Sequence, residues 1–323
     1  MAGPLRIVFL GTADFAVPSL QRLAAGPDCV VAVCTRPDRP AGRGQRPRPS
    51  PVKQAAEALG LRVWQPERVS SPAGIEELGS FEPDVLFVAA FGEILSEGVL
   101  AVPRVAAVNL HASLLPRHRG AAPIQRAILA GEVRTGVTVQ WMSARLDAGD
   151  IIAQRATTIG AEEDFGSLHD RLAALGAELA AEAMSLLRAG SAPRLRQREE
   201  EATYAPPIRR EELMLDWQRP AAVLARTVRA FSPRPGARTF RQGRLLKVLA
   251  ARAVDSASRR GGIPGCVSEV TDEGFCVEAA EGRLLILRVQ PEGRTVMSAA
   301  DYTRGHRVQV GEVLGPGGAR VQP

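Results

Sequence analysis

Lysine is almost missing from this chain: Lys53 and Lys247 are the only two, and arginine supplies the remaining positive charge. Alanine, glycine and proline are abundant alongside, so the bias reads as nucleotide composition rather than as a functional signal. Aromatic residues are scarce at 4%, while a hydrophobic share of 45% is ordinary for a globular protein. The four cysteines (Cys29, Cys34, Cys266, Cys276) have no metal-ligand spacing. Their number and scatter fit reduced, mostly buried thiols of a cytoplasmic protein, and no metal is expected. The longest strong apolar run, Val85 to Phe91, is far short of the roughly 20 residues a spanning helix needs. Met1 to Phe15 runs straight into a strand-turn pattern and does not resemble a signal peptide. Gly11 marks the first strand-to-helix turn, but the G-x-G-x-x-G fingerprint is absent, which argues against a dinucleotide site.

The charge that is present is unevenly spread. Residues 209–323 hold 19 basic against 12 acidic residues, a net +7 that exceeds the +6 of the whole chain. Within 219–260, eleven positive residues face Asp255 alone. A second block lies early, where Arg36, Arg39, Arg43, Arg46, Arg48 and Lys53 stand against Asp38. Scattered arginine would mean a solvated surface, whereas two concentrated blocks point to a polyanionic partner, most simply a nucleic acid.

At 323 residues the chain has room for two domains, each with its own core. Strands are expected at 5–10, 29–35, 61–65, 84–91 and 105–111, alternating with helices. Among those helices, 51–59 has Ser50 as N-cap and Pro51 in its first position. The intervening stretch 36–49 is too proline-rich for helix or sheet and reads as a long loop. A helix from Pro123 stops at Gly131, a strand covers 135–142, and leucines 168, 172, 175, 179 and 186 mark one face of a long helix. Strand alternating with helix predicts an α/β fold: a Rossmann-like, mostly parallel sheet with helices on both faces, over 1–189. Charge-rich residues 190–208 read as a linker. A helix near 219–231 and short runs at 244–250, 263–270, 274–279, 283–289 and 308–313 predict a small OB-like antiparallel barrel over 209–315. Residues 316–323 read as a disordered tail, and nothing in the patterning demands a partner subunit, so a monomer is expected.

The chemistry concentrates at the end of the strand that closes with Asn109-Leu110-His111. Side chains alternate along a strand, so Asn109 and His111 share one face and Leu110 takes the other. Polar groups at the carboxyl end of a buried parallel strand sit where open α/β sheets bind ligands. Of the four histidines, His169 reads as surface, His306 lies among charges, and His118 is flanked by Arg117 and Arg119. A histidine can exchange protons with an attacking amine, and an asparagine amide can donate to a developing oxyanion. Asp147, in the turn Leu146-Asp147-Ala-Gly-Asp150, is the carboxylate chosen to complete the site, with Asp150 as the local rival. No serine or cysteine is convincingly placed as a nucleophile, which favours direct transfer.

Asn109-Leu-His111-Ala-Ser-Leu-Leu-Pro116, then Arg119-Gly-Ala-Ala-Pro and Leu146-Asp147-Ala-Gly-Asp150, resemble the folate-dependent formyltransferase family. Phe9-Leu-Gly-Thr-Ala-Asp-Phe, Arg36-Pro-Asp-Arg-Pro-Ala-Gly-Arg-Gly, Ser50-Pro-Val-Lys, Tyr204-Ala, Asp216-Trp217, Arg229-Ala-Phe and Met297-Ser-Ala resemble its tRNA-directed branch, and the likeness covers nearly the whole chain. The resemblance implies 10-formyltetrahydrofolate as donor and the α-amine of methionine on initiator methionyl-tRNA as acceptor. It implies Asn109, His111 and Asp147 as the catalytic trio, and Ser113, Leu114, Leu115 and Pro116 as the lining of the folate site. The basic loop with Arg36, Arg39, Arg43, Arg46 and Arg48 would meet the tRNA acceptor stem, and the C-terminal barrel would hold the tRNA. Ala13, Cys34, His118 and Arg234 depart from the family's usual proline, phenylalanine, aromatic and tryptophan. Rival acceptors within the family are a UDP-aminosugar, against which the arginine-rich loop speaks, and glycinamide ribonucleotide, which has little use for a basic second domain.

Overall fold

The computed structural model describes residues 3–41, 46–254 and 262–316. It separates into two compact units. The first holds the described residues through Pro123, with Arg134–Thr158 and His169–Pro206; the second holds Ile124–Val133, Ile159–Leu168 and the described residues from Pro207 onward.

The first unit is built on a seven-stranded sheet. In chain order its elements are β1 (Arg6–Gly11), α1 (Val17–Ala24), β2 (Cys29–Cys34), a two-stranded ribbon β3 (Arg39–Ala41) and β4 (Arg46–Arg48), and α2 (Pro51–Ala58). Then come β5 (Val63–Trp64), α3 (Pro72–Ser80), β6 (Val85–Ala89), α4 (Glu97–Leu100) and β7 (Ala106–His111). β8 (Arg134–Trp141), β9 (Ile151–Thr158) and all but the first turn of the long α6 (Phe165–Arg188) complete the set; α5 (Pro123–Ala130), which precedes β8 in the chain, belongs from Ile124 onward to the second unit. The strand order is β5-β2-β1-β6-β7-β8-β9. Every pairing from β5 to β7 is parallel; β8 alone runs against both neighbours. The mostly parallel sheet expected from the sequence is therefore present, with one reversed strand. The order turns around at β1 and β6, and ligands in such sheets gather beside that switch.

Local sequence explains much of this. The apolar runs of β1 and β6 are buried, as suits strands covered on both faces. Ser50 caps α2 by accepting a hydrogen bond from the Lys53 amide at 3.0 Å, with Pro51 in the first turn, where its missing N–H costs nothing. Leu110 packs against α6 beside Gly176, which leaves Asn109 and His111 on the opposite face of β7.

The stretch after β2 departs from expectation. The proline-rich stretch after β2 is not loop throughout, because Arg39–Ala41 and Arg46–Arg48 pair as an antiparallel ribbon. Pro40 lies directly opposite Pro47. Opposed residues in such a ribbon alternate between bonded and non-bonded pairs, so two prolines can face each other at a non-bonded position without losing a ladder bond. Residues 42–45, and Arg43 with them, lie outside the described residues, as does the side chain of Arg46.

The second unit carries α7 (Ala221–Phe231), β10 (Ala237–Arg241), β11 (Arg244–Val254), β12 (Val267–Val270), β13 (Phe275–Glu278), β14 (Arg283–Pro291), β15 (Met297–Ser298) and α8 (Ala299–His306). Its sheet, ordered β10-β11-β14-β13-β12 with β15 on β14, is antiparallel throughout, as expected. Residues 308–313 form no strand, and Val313 makes an isolated bridge with Cys266. Two elements have weak sequence signals. β10 buries Arg241, which the carboxylate of Glu312 neutralises at 2.7 Å, so a charged side chain interrupts the apolar alternation. Helix α8 buries only Ala299 and Tyr302, too few for a readable stripe. Residues 317–323, read as most of a disordered tail, lie outside the described residues.

Candidate active site

The site forms where β7 and β8 pair. Asn109 faces Gln140 and His111 faces Thr138 across the antiparallel register, and residues directly opposite share a face. Four polar side chains thus stand together above the sheet. The connection from β8 to β9 carries Asp147 back over this group. Gly149 makes that path possible, because a Cβ there would lie 1.7 Å from the Trp141 carbonyl oxygen. The Trp141 amide donates to the Asp150 carbonyl at 2.9 Å and fastens the base of the turn. Asp150 thus acts through its backbone, and Asp147, with a left-handed φ of 48°, turns its carboxylate to the polar group.

Three donors hold that carboxylate. The Gly120 amide donates to Oδ2 at 2.8 Å, Gln140 Nε2 to Oδ1 at 3.1 Å, and Asn109 Nδ2 to Oδ1 at 3.5 Å. Gly120 has a φ of 122°, and a Cβ there would meet the Ala205 carbonyl at 2.7 Å, so the close approach needs glycine. His111 is buried, with Nε2 2.9 Å from the His118 carbonyl oxygen. A carbonyl only accepts, so Nε2 carries the hydrogen and the ring orientation is set by this backbone group. Nδ1 looks toward Asp147 Oδ2 at 3.6 Å, outside a direct hydrogen bond. His118, where the family usually has an aromatic, is buried and holds a φ of 59° that aims its carbonyl.

The residues expected to line a folate site form a pinned loop. Thr138 Oγ1 donates to the Ser113 carbonyl at 2.7 Å and accepts from the Leu115 amide at 3.2 Å; Gln154 Nε2 donates to the Leu115 carbonyl at 2.7 Å. Ser113 and Leu115 are buried, while Leu114 and Pro116 are partly exposed. Two apolar surfaces beside the Asn109 and His111 face suit a flat aromatic ring system.

Support comes from residues 195–206, the stretch read as linker. Arg119 exchanges backbone hydrogen bonds with Thr203 and Ala205 at 2.9 and 2.7 Å. Its guanidinium, 1% exposed, meets Gln197 and pairs with Glu199 at 3.1 Å. Burial pulls this guanidinium down, and the bonds and charges of Glu199 and Tyr204 outweigh that, leaving it above its ordinary value. The hydrogen bond from Arg119 in turn holds the Glu199 carboxyl below its usual range.

The other histidines are elsewhere. His169 is more enclosed than a surface reading predicts: its ring lies edge-on to Phe15, with Asp14 and Asp170 at 3.3 and 2.9 Å. His306 stacks on Tyr302 at 4.3 Å. In the ribbon, Arg39 lies directly opposite Arg48 and both are exposed. Lys53 Nζ is 2.8 Å from Asp38, and this bond, with one from Gln65, holds the Asp38 carboxyl below its ordinary value. The ion pair leaves the arginines as the ribbon's net positive charge. Arg36 lies two residues beyond the end of β2, and its guanidinium reaches toward Gly92. Among the described residues, no group of three His, Cys, Asp or Glu is placed to hold a metal ion, and no helix is long and apolar enough to cross a membrane.

Sequence reasoning missed Gln140, Thr138, Gln154 and Gln197. The first two had a signal: Thr138 and Gln140 are the polar half of an alternation whose other half is Val137 and Val139. Gln197 had none, because its stretch has no periodicity.

An amide and an imidazole on one sheet face, with a carboxylate brought to them by the β8–β9 turn, are groups suited to donate to an oxyanion and to exchange protons. The chain belongs to the formyl transferase family: residues 5–184 match the formyl transferase model and 207–307 the formyl transferase C-terminal domain. Among its relatives, the methionyl-tRNA formyltransferase of Moorella thermoacetica is 49% identical over 96% of this chain and 99% of its own. That of Acidithiobacillus ferrooxidans is 46% identical over 96% and 98%. The fold is also that of an N-formyltransferase from Helicobacter canadensis, solved with folinic acid and dTDP-3-aminofucose: TM-score 0.64, 17% identity, 89% of this chain and 99% of that one. HypX from Aquifex aeolicus, solved with tetrahydrofolic acid, gives a TM-score of 0.63 at 20% identity over 93% of this chain and 47% of its own.

Proposed function

We propose that this protein transfers the formyl group of 10-formyltetrahydrofolate to the α-amine of methionine on initiator methionyl-tRNA, producing N-formylmethionyl-tRNA for translation initiation. The observation that carries this reading is near-full-length likeness, at 49% identity, to a methionyl-tRNA formyltransferase. The solved sugar N-formyltransferase shares the fold at 17% identity and lends no support to a sugar acceptor.

In the proposed mechanism the neutral amine attacks the formyl carbon, forming the new C–N bond as the carbonyl oxygen becomes an oxyanion. The Asn109 amide donates to that oxygen; one such donor is worth on the order of 3 kcal/mol of barrier. His111 adds positive charge beside the oxyanion when protonated at Nδ1, the nitrogen not engaged by the His118 carbonyl. Asp147 faces Nδ1 and, with His111, takes the proton released by the attacking amine and passes it toward N10 as the C–N10 bond breaks. Leu114 and Pro116 offer the folate ring its apolar contacts, with Ser113 and Leu115 shaping the loop beneath. The proposed division of labour is catalysis by 1–189 and tRNA binding by 209–315 together with the arginines of the ribbon, with 190–208 joining the two. We further propose that the protein acts as a monomer.

Incubation with 10-formyltetrahydrofolate and three acceptors, namely initiator methionyl-tRNA, a UDP-aminosugar and glycinamide ribonucleotide, tests the assignment. Formylation of the tRNA alone is expected. Product with either small amine and none with the tRNA would overturn it.

A further inference from the structure

We propose that Gln197, outside every motif of the family resemblance, is a positioning residue that fixes the direction of hydrogen bonding at the Asp147 carboxylate. The inference rests on the reading of Asp147 as catalytic. Gln197 is 6% exposed and lies between two groups whose hydrogen-bonding roles cannot change. On one side, Nε and Nη2 of Arg119 approach its Oε1 at 3.1 and 2.8 Å. A guanidinium has donors only, so the glutamine oxygen must face it. On the other side, Nε2 donates to the backbone carbonyls of Asp147 and Gly149 at 2.8 and 2.7 Å. These acceptors belong to the turn that presents the carboxylate.

The same Nε2 is 3.2 Å from Gln140 Oε1, so one of its two hydrogens is shared, as a three-centre bond, between a turn carbonyl and that oxygen. A second amide is thereby oriented: with its oxygen toward Gln197, Gln140 turns its own Nε2 to Asp147 Oδ1 at 3.1 Å. Polarity passes from Arg119 through Gln197 and Gln140 to the carboxylate, and each step is donor to acceptor. Arg119 and Gln140 are 1% and 2% exposed, so water does not substitute for a lost partner, and a buried amide without partners is costly. Gln197 therefore holds the Asp147 turn in place and also determines which face of Gln140 meets its carboxylate.

Gln197→Glu tests this at constant shape. It keeps the Arg119 contact but sets a second oxygen against two carbonyls and Gln140 Oε1. Gln197→Met, which removes both donor and acceptor, is the second variant, and thermal melting establishes that each is folded. In both, kcat for methionyl-tRNA formylation is expected to fall on the order of 10- to 100-fold, with KM for folate and tRNA nearly unchanged. In a Gln140→Leu background, the further loss from Gln197→Glu is expected to be smaller than in the wild type. Folded variants with wild-type kcat would overturn the proposal and leave Gln197 as packing. Full activity in Asp147→Asn would instead overturn the reading of the site, and a wild type inactive on methionyl-tRNA would overturn the reading of the function.

Discussion

In the proposed mechanism, Asp147 and His111 divide the proton work by position. The ring of His111 is held at Nε2 by the His118 carbonyl, so exchange falls to Nδ1, which faces the carboxylate. Removing either partner leaves binding surfaces intact but strands the proton. His111→Ala and Asp147→Ala are each expected to lower kcat on the order of 100- to 10,000-fold, with tRNA affinity close to wild type. Single-turnover formylation beside a tRNA binding titration checks this, and unchanged turnover in either variant would remove that residue from the mechanism. Both side chains were legible in the sequence, His111 from the strand ending and Asp147 from its glycine-containing turn. The His118 carbonyl was not, since a backbone group carries no mark of residue type.

At the scale of elements, the ribbon β3–β4 is where charge and geometry combine. Like charges directly opposite on paired strands repel, and Arg39 lies opposite Arg48. Neutralisation by tRNA phosphates would relieve that cost. Arg39→Ala and Arg48→Ala are each expected to weaken tRNA binding and to reduce the slope of log K against log salt by about 1. Filter binding over a salt series measures the slope, and an unchanged slope would show that these side chains meet no phosphate. The block of arginines was visible in the sequence. Its folding as a ribbon was not, because proline density argues against a strand unless the opposing residue is also proline.

On the scale of the whole molecule, acid stability follows from ion pairs within the second unit. Arg126 on α5 pairs with Glu212 at 2.5 Å, both side chains being about one-fifth exposed. The hydrogen bond from Arg126 holds the Glu212 carboxyl down to about 2 from its ordinary 4.5, with burial acting in the opposite direction. A carboxyl depressed in the folded state contributes stability above its unfolded value and loses it as pH falls through the folded one. Glu212→Gln is therefore expected to lower Tm at neutral pH, and the gap from wild type should close between pH 4.5 and 2. Melting curves across that range test it; a gap that persists at the lowest pH would mean the pair contributes no pH-dependent stability.

By itself the sequence determined whatever depends on near neighbours: apolar runs long enough for strands, Ser50 and Pro51 opening α2, the alternation that put Asn109 and His111 on one face, and the two basic blocks. Tertiary structure alone decided what depends on distant pairing. Gln140 and Gln197, 57 residues apart, meet only because β8 lies beside β7 and 195–206 folds back onto the first unit. Hydrogen bonds are satisfied in space, by any donor and acceptor the fold brings within about 3 Å. A buried amide in an aperiodic stretch therefore leaves no sequence pattern behind.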